Sequence, residues 1–257
     1  MKAIALAQTT PRAGDLAANL AQHLELASRA ADEGASLVVF PELSLTGYEL
    51  DLAAELAHDP QDERLAPLRE LASARQLTLV VGAPLLREGR LHLAAFVLEG
   101  ARERHYTKRH LGTFPASVNP GGPVPPPEPS VFAPGALDPL LAHAGRSAAL
   151  AICADTGRPS HPAAAAARGA QLYLASMFFT PGELADEHAK LARIAAEHAL
   201  LVAAANFGGP SGGLPSAGGS AAWAPGGALL AQLPERGAGL LLLEEGDAGW
   251  EAKALEL

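Results

Sequence analysis

Cysteine is almost absent: Cys153 is the only one among 257 residues. A lone thiol excludes an internal disulfide framework and fits a reducing, cytoplasmic setting. It leaves Cys153 as either a small core residue or a reactive thiol. Positive charge is also scarce, with 19 Lys and Arg against 28 Asp and Glu and a net charge of -9. An acidic chain without basic clusters argues against nucleic acid or an anionic membrane as the main partner, and leaves a small-molecule substrate open. No apolar run reaches the ~20 residues that a membrane span needs. The N-terminal MKAIALAQTTPRAGD turns polar and meets Pro11 too early for a secretion signal. The nine histidines include no HExxH or His-x-His spacing, so neither a metal nor a cofactor is expected. The glycine-rich run at 208–213 lacks the lysine of a phosphate-binding loop and reads as a flexible loop near a pocket.

What the chain does have is apolar bulk. Hydrophobic residues make up 49 %, enough for a sizeable core, and no linker, low-complexity tail or repeat divides it. Residues 1–257 are therefore read as a single domain. KAIALAQ (2–8) reads as a strand. Residues 15–34 follow as an amphipathic helix, with Leu16, Leu20, Leu24, Ala27 and Ala31 on one face, Asp15 as N-cap and Gly34 as C-cap. ASLVVF (35–40) has the continuous apolar character of a strand buried on both faces. A second helix is expected within 62–75, then strands LTLVVGAP and LHLAAFVLEG joined at Glu88-Gly89. RERHYTKRHL (102–111) is short and extended. Eight prolines between 115 and 134 argue against regular structure there. RSAALAICAD (146–155) reads as a strand ending at Cys153 and Asp155. Next come a helix in HPAAAAARGA, strand AQLYLASM, a helix at 183–199 and strand LLVAAAN. A glycine-rich loop (208–219), a hairpin through Pro225-Gly226-Gly227 and GAGLLLLEE as the last strand complete an α/β pattern.

Three reactive side chains stand just past apolar or extended segments, where α/β proteins collect their active sites. Glu42 follows LVVF, Cys153 closes AALAI and Lys108 lies in the 102–111 segment. A carboxylate can take a thiol proton, and a nearby ammonium lowers the thiol pKa and stabilises an oxyanion. Singly, each has a plainer explanation: a solvated loop charge, a small buried residue and a surface basic patch. Asp155 reads as structural, satisfying backbone donors or pairing with Arg158. His105 and His110 read as surface or loop-anchoring residues.

The segments in order are more specific. "VVFPELSLTGY" around Glu42, "YTKRHL" around Lys108, "EPSVFAPG" from Glu128 and "LAICADTGRP" around Cys153 resemble the motifs of the nitrilase superfamily, the carbon–nitrogen hydrolases with a Glu-Lys-Cys triad. "EHAKLARIAAEHALLVAAAN", ending at Asn206, and "GGSAAWAPGGALLA" are similar to that family's later segments. The chain departs from the pattern at Ala154, Thr156, Gly157 and Pro159 and at His198, where the family has asparagine. These departures bear on subfamily rather than on chemistry.

The resemblance implies a four-layer α-β-β-α sandwich. It implies Glu42 as general base, Lys108 and the Ala154 N–H as oxyanion donors, Cys153 as nucleophile and Glu128 as a further active-site carboxylate. Tyr48 and Phe178 become candidate pocket walls. The expected reaction is hydrolysis of a small linear amide. N-carbamoyl amide hydrolysis, with Arg158 as a carboxylate clamp, is the runner-up, followed by nitrile hydrolysis. An idle or redox-sensing protein on the same fold is the non-enzyme alternative. The resemblance also implies a homodimer or larger assembly, with 163–170 and 183–199 as candidate interface segments.

Overall fold

The computed structural model describes residues 2–256. Strand β1 (Ala3–Gln8), helix α1 (Leu16–Asp32), strand β2 (Ala35–Val39), helix α2 (Ala66–Arg75) and strands β3 (Thr78–Arg87), β4 (Arg90–Glu99) and β5 (Arg102–Thr107) form the first half. Strands β6 (Leu141–His143) and β7 (Arg146–Ile152), helix α3 (Ser160–Ala167), β8 (Leu172–Ser176), helix α4 (Leu184–His198), β9 (Leu201–Ala205), β10 (Ala221–Trp223) and β11 (Leu229–Gln232) form the second. The chain then returns as β12 (Gly239–Gly246) and β13 (Gly249–Glu256).

Two mixed sheets result, in orders β13-β12-β1-β2-β3-β4-β5 and β11-β10-β9-β8-β7-β6. The centre of each is parallel: β1-β2-β3 in one, β7-β8-β9 in the other. The side chains of each strand alternate between two apolar environments. Ile4, Leu6, Leu37 and Val39 join Leu150, Ile152, Leu172 and Leu174 in a core between the sheets. Ala5, Ala7 and Val38 pack with Leu26, Ala27 and Leu68 of α1 and α2. Tyr173, Ala175 and Val202 pack with Leu191 and Ala195 of α4. That is the expected α-β-β-α layering. Among the described residues, no helix is long and apolar enough to cross a membrane.

Four details depart from the sequence reading. The buried stripe of α1 is Asn19, His23, Leu26, Ala27 and Ala30, rotated from the leucine face because two polar residues point inward to bind the loop after β2. Strand β7 stops at Ile152, and residues 153–157 form a 3-10 turn. Strand β6 was too short to register as a pattern. The last strand is β13, whose Glu251 and Lys253 are exposed; its one wet face hid the strand among polar residues.

Candidate active site

Glu42 lies in the tight turn that ends β2, and the sequence builds that turn from both sides. Leu43 takes a left-handed backbone, φ 50°, and Leu45 N donates to Gly82 O at 3.0 Å. A Cβ at Gly82 would stand 2.4 Å from Leu43 N and 2.5 Å from Pro41 O, so only glycine in β3 lets the turn lie this close. From α1, His23 Nε2 meets Ser44 Oγ at 2.8 Å and Asn19 Nδ2 donates to Leu45 O at 3.0 Å. Burial lowers the His23 pKa to about 4, so the ring is neutral. Its Nδ1–H then donates to Asn19 O, 2.7 Å away, and its Nε2 accepts from Ser44.

Lys108 directly follows β5, and its backbone N donates to Leu93 O at 2.8 Å. Its side chain is fully buried, with Nζ 2.6 Å from Glu42 Oε1 and 2.7 Å from Glu128 Oε1. Glu128 opens a short 3-10 turn in the proline-rich segment. It also accepts from Tyr48 OH and Gly112 N, each at 2.6 Å. Only Glu42 Oε2 in this cluster is buried without a hydrogen-bond partner. Burial pushes the Glu42 pKa up to about 8, against the opposing pull of Lys108. Burial also works against the Lys108 charge, but Glu42 and Glu128 outweigh it and hold the ammonium above its usual range.

Cys153 begins the turn after β7 with φ 41°, a left-handed conformation that costs a non-glycine residue about 1–3 kcal/mol. Asp155 supports it: Oδ2 accepts from Ile152 N and Tyr106 OH, and Oδ1 from Arg109 N, His110 N and His110 Nδ1, all within 2.6–3.2 Å. One carboxylate thus ties the end of β7 to the segment carrying Lys108. Asp155 satisfies backbone donors as expected, but the Arg158 pairing is absent, because Arg158 turns to solvent. The Cys153 Sγ lies 3.4 Å from Phe178 O. Burial, then the Glu42 charge, raises the thiol pKa well above its usual value, with Lys108 opposing.

A cavity of ≈ 160 Å³ opens over this cluster, lined by Lys108, Glu128, Cys153, Ala154, Tyr48 and Phe178 and also by Phe114, Phe179, Glu183, Glu187 and Lys190. Its size matches that of a cavity of about 150 Å³ that takes benzene, so a molecule of roughly six heavy atoms fits. Every sequence-predicted site residue except Glu42 lines it, and Glu42 lies beneath, bonded to Lys108. Arg158 does not line it. The 208–219 loop lies behind the wall rather than on it: Ser211 Oγ accepts from Tyr48 N at 2.7 Å. Sequence reasoning missed Glu183, Glu187 and Lys190, although their i, i+4, i+7 spacing on α4 was available as a signal.

Two sheets sandwiched by helices, with a buried carboxylate–ammonium–carboxylate cluster beside a strained cysteine, define a carbon–nitrogen hydrolase scaffold. The chain belongs to the carbon-nitrogen hydrolase family, whose sequence pattern matches residues 3–244. Its structural neighbours include a nitrilase-superfamily amidase. An amidase from Nesterenkonia sp. AN1, carrying the acetamide moiety of fluoroacetamide on its active-site cysteine, superposes with a TM-score of 0.83 at 31 % identity, covering 96 % of this chain and 91 % of that one. A mutant of the same amidase in complex with butyramide gives 0.81 at 30 % identity, covering 100 % and 90 %. A protein of Pseudomonas protegens called "hydrolase in pqqF 5'region" is 29 % identical over 239 residues, 89 % of this chain and 77 % of that protein. The glutamine-dependent NAD(+) synthetase of Mycobacterium tuberculosis is 38 % identical over 104 residues, 39 % of this chain, which spans only 15 % of the synthetase.

Proposed function

We propose that this enzyme hydrolyses short linear amides to ammonia and a carboxylic acid through a thioester on Cys153. The observation that carries the reading is Lys108 Nζ held between Glu42 and Glu128 under a cavity that Cys153 lines, with Glu42 Oε2 left without a partner. A buried carboxylate oxygen is costly to leave unpaired, and here the thiol proton is the group for it to receive. Glu42 takes that proton as the sulfur attacks the amide carbon. Lys108 and the Ala154 N–H hold the resulting oxyanion. Glu42 returns the proton to the leaving nitrogen, ammonia departs and Cys153 carries the acyl group. Glu42 then takes a proton from water, whose oxygen attacks the thioester carbon, and the sulfur leaves with that proton. Glu128, hydrogen-bonded to Lys108, keeps the ammonium oriented.

The acetamide adduct and butyramide complex of the Nesterenkonia amidase support small aliphatic amides, as does the cavity volume. No arginine lines the cavity, and its two lysines are bonded to carboxylates, Lys108 to Glu42 and Glu128 and Lys190 to Glu187, which disfavours the carbamoyl alternative and its carboxylate clamp. Ammonia release from aliphatic amides, ω-amides, carbamoyl amino acids and nitriles tests the reading. Amides should be turned over, and Cys153→Ala should abolish the activity. Turnover that survives Cys153→Ala refutes the mechanism, and carbon dioxide released with ammonia would move the assignment to carbamoyl compounds.

A further inference from the structure

One wall of the cavity carries charge that amide cleavage does not use. Glu183, the residue before α4, and Glu187 and Lys190 in its first two turns line the cavity together with Cys153. Glu183 Oε2 is occupied, accepting from Thr180 N and Oγ1 at 2.9 and 2.8 Å. Lys190 Nζ donates to Glu187 Oε1 at 2.6 Å. Glu187 Oε2, shut away from solvent, has no hydrogen-bond partner. Leaving a carboxylate oxygen dry and unpaired is unfavourable. The comparable oxygen on Glu42 has the thiol proton to receive; that on Glu187 has no counterpart in the reaction. Two carboxylates against one ammonium leave this wall with a net negative charge.

Resting on the amidase reading above, we propose that Glu187 is a specificity-determining residue that receives a cationic amino group at the far end of the substrate. The favoured substrates are then short primary amides bearing an ammonium, with Lys190 holding Glu187 in position. The remaining lining, Tyr48, Phe114, Phe178 and Phe179, suits the short apolar stem between the two ends. Glu187 also reaches the nucleophile electrostatically: after burial and Glu42, its charge is among those that raise the Cys153 thiol. A substrate ammonium beside Glu187 offsets that push, so the correct substrate eases formation of the thiolate.

Three amides of similar length separate the possibilities: 4-aminobutyramide (cationic), butyramide (neutral) and succinamic acid (anionic). The wild-type enzyme should show kcat/KM about tenfold or more higher for 4-aminobutyramide than for butyramide, the scale of one charge-assisted hydrogen bond. Glu187→Gln should bring that ratio close to one. Calorimetric binding of the same compounds to Cys153→Ala protein should show the same order without turnover. Equal or undetectable binding of all three, a preference for succinamic acid, or a cationic preference that survives Glu187→Gln would overturn the proposal. If wild-type enzyme hydrolyses none of the amides while the Cys153→Ala protein still prefers the cation, the amidase reading falls and the Glu187 subsite stands. If amides are hydrolysed without cationic preference, the subsite falls and the amidase reading stands.

Discussion

At the scale of single residues, Glu42, as the proposed base, should set the pH behaviour. Its folded pKa of about 8 lies well above the ordinary glutamate value of about 4.3. A base must be ionised to take the thiol proton, so kcat/KM should rise with pH through about 8 rather than through 4 to 5. Stability moves the other way. A carboxyl whose pKa is raised on folding favours the fold while protonated, and that contribution is lost as pH climbs from the unfolded value through about 8. Glu42→Gln should cost a hundredfold or more in kcat, roughly the scale of one lost general base, and should flatten the stability loss over that interval. A pH–rate profile with its acid limb near 4.5 would remove Glu42 as the desolvated base. Glu42, Lys108, Glu128 and Cys153 were legible because each sits in a motif whose neighbours repeat in a fixed order. Glu187 was not, because an acidic residue in the first turn of a helix reads equally well as a favourable dipole charge. Only its register against the cavity separates the two roles.

At the scale of elements, the site depends on what lies behind each reactive side chain. The turn bearing Glu42 needs Gly82 in β3, polar Asn19 and His23 in α1, and Ser211 behind Tyr48. These supports are far apart in sequence and belong to no pattern of period two or 3.6, so hydrophobic periodicity pointed past them. It read α1 correctly as a helix whose leucine face packs on the core, but it missed that the fully buried stripe runs through Asn19, His23, Leu26, Ala27 and Ala30. It also carried β7 through Cys153, because the small apolar residues around the cysteine hide the left-handed turn that Asp155 pins. Gly82→Ala tests the support. A methyl group 2.4 Å from Leu43 N forces the turn off β3, with a loss of about 2 kcal/mol or more. Calorimetry should then show Tm lowered by roughly 4–8 °C, and ammonia release should fall more steeply than the folded fraction, because Glu42 moves relative to Lys108. An alanine variant with wild-type Tm and activity would show that the close approach does not position the base.

At the scale of the whole molecule, both sheets contribute to one shared core. The outer helical layers differ in character. On α3 and α4, Ala163, Ala164, Ala167, Ala185, Ala189 and Ala196 are exposed, interspersed with Arg193 and Glu197. Small side chains let a second pair of helices approach closely, and one arginine and one glutamate a turn apart offer exchangeable pairing across a two-fold axis. We propose that this layer mates with the same layer of another copy. Sedimentation in dilute solution should give about twice the 26.3 kDa chain mass. A chain of net charge -9 repels its own kind, so the dimer should tighten as added salt screens that repulsion. Ala189→Arg, which places a long charged side chain at the centre of the alanine face, should shift the population towards 26.3 kDa. A wild-type chain that sediments as the monomer at every salt concentration would leave this face exposed for another reason.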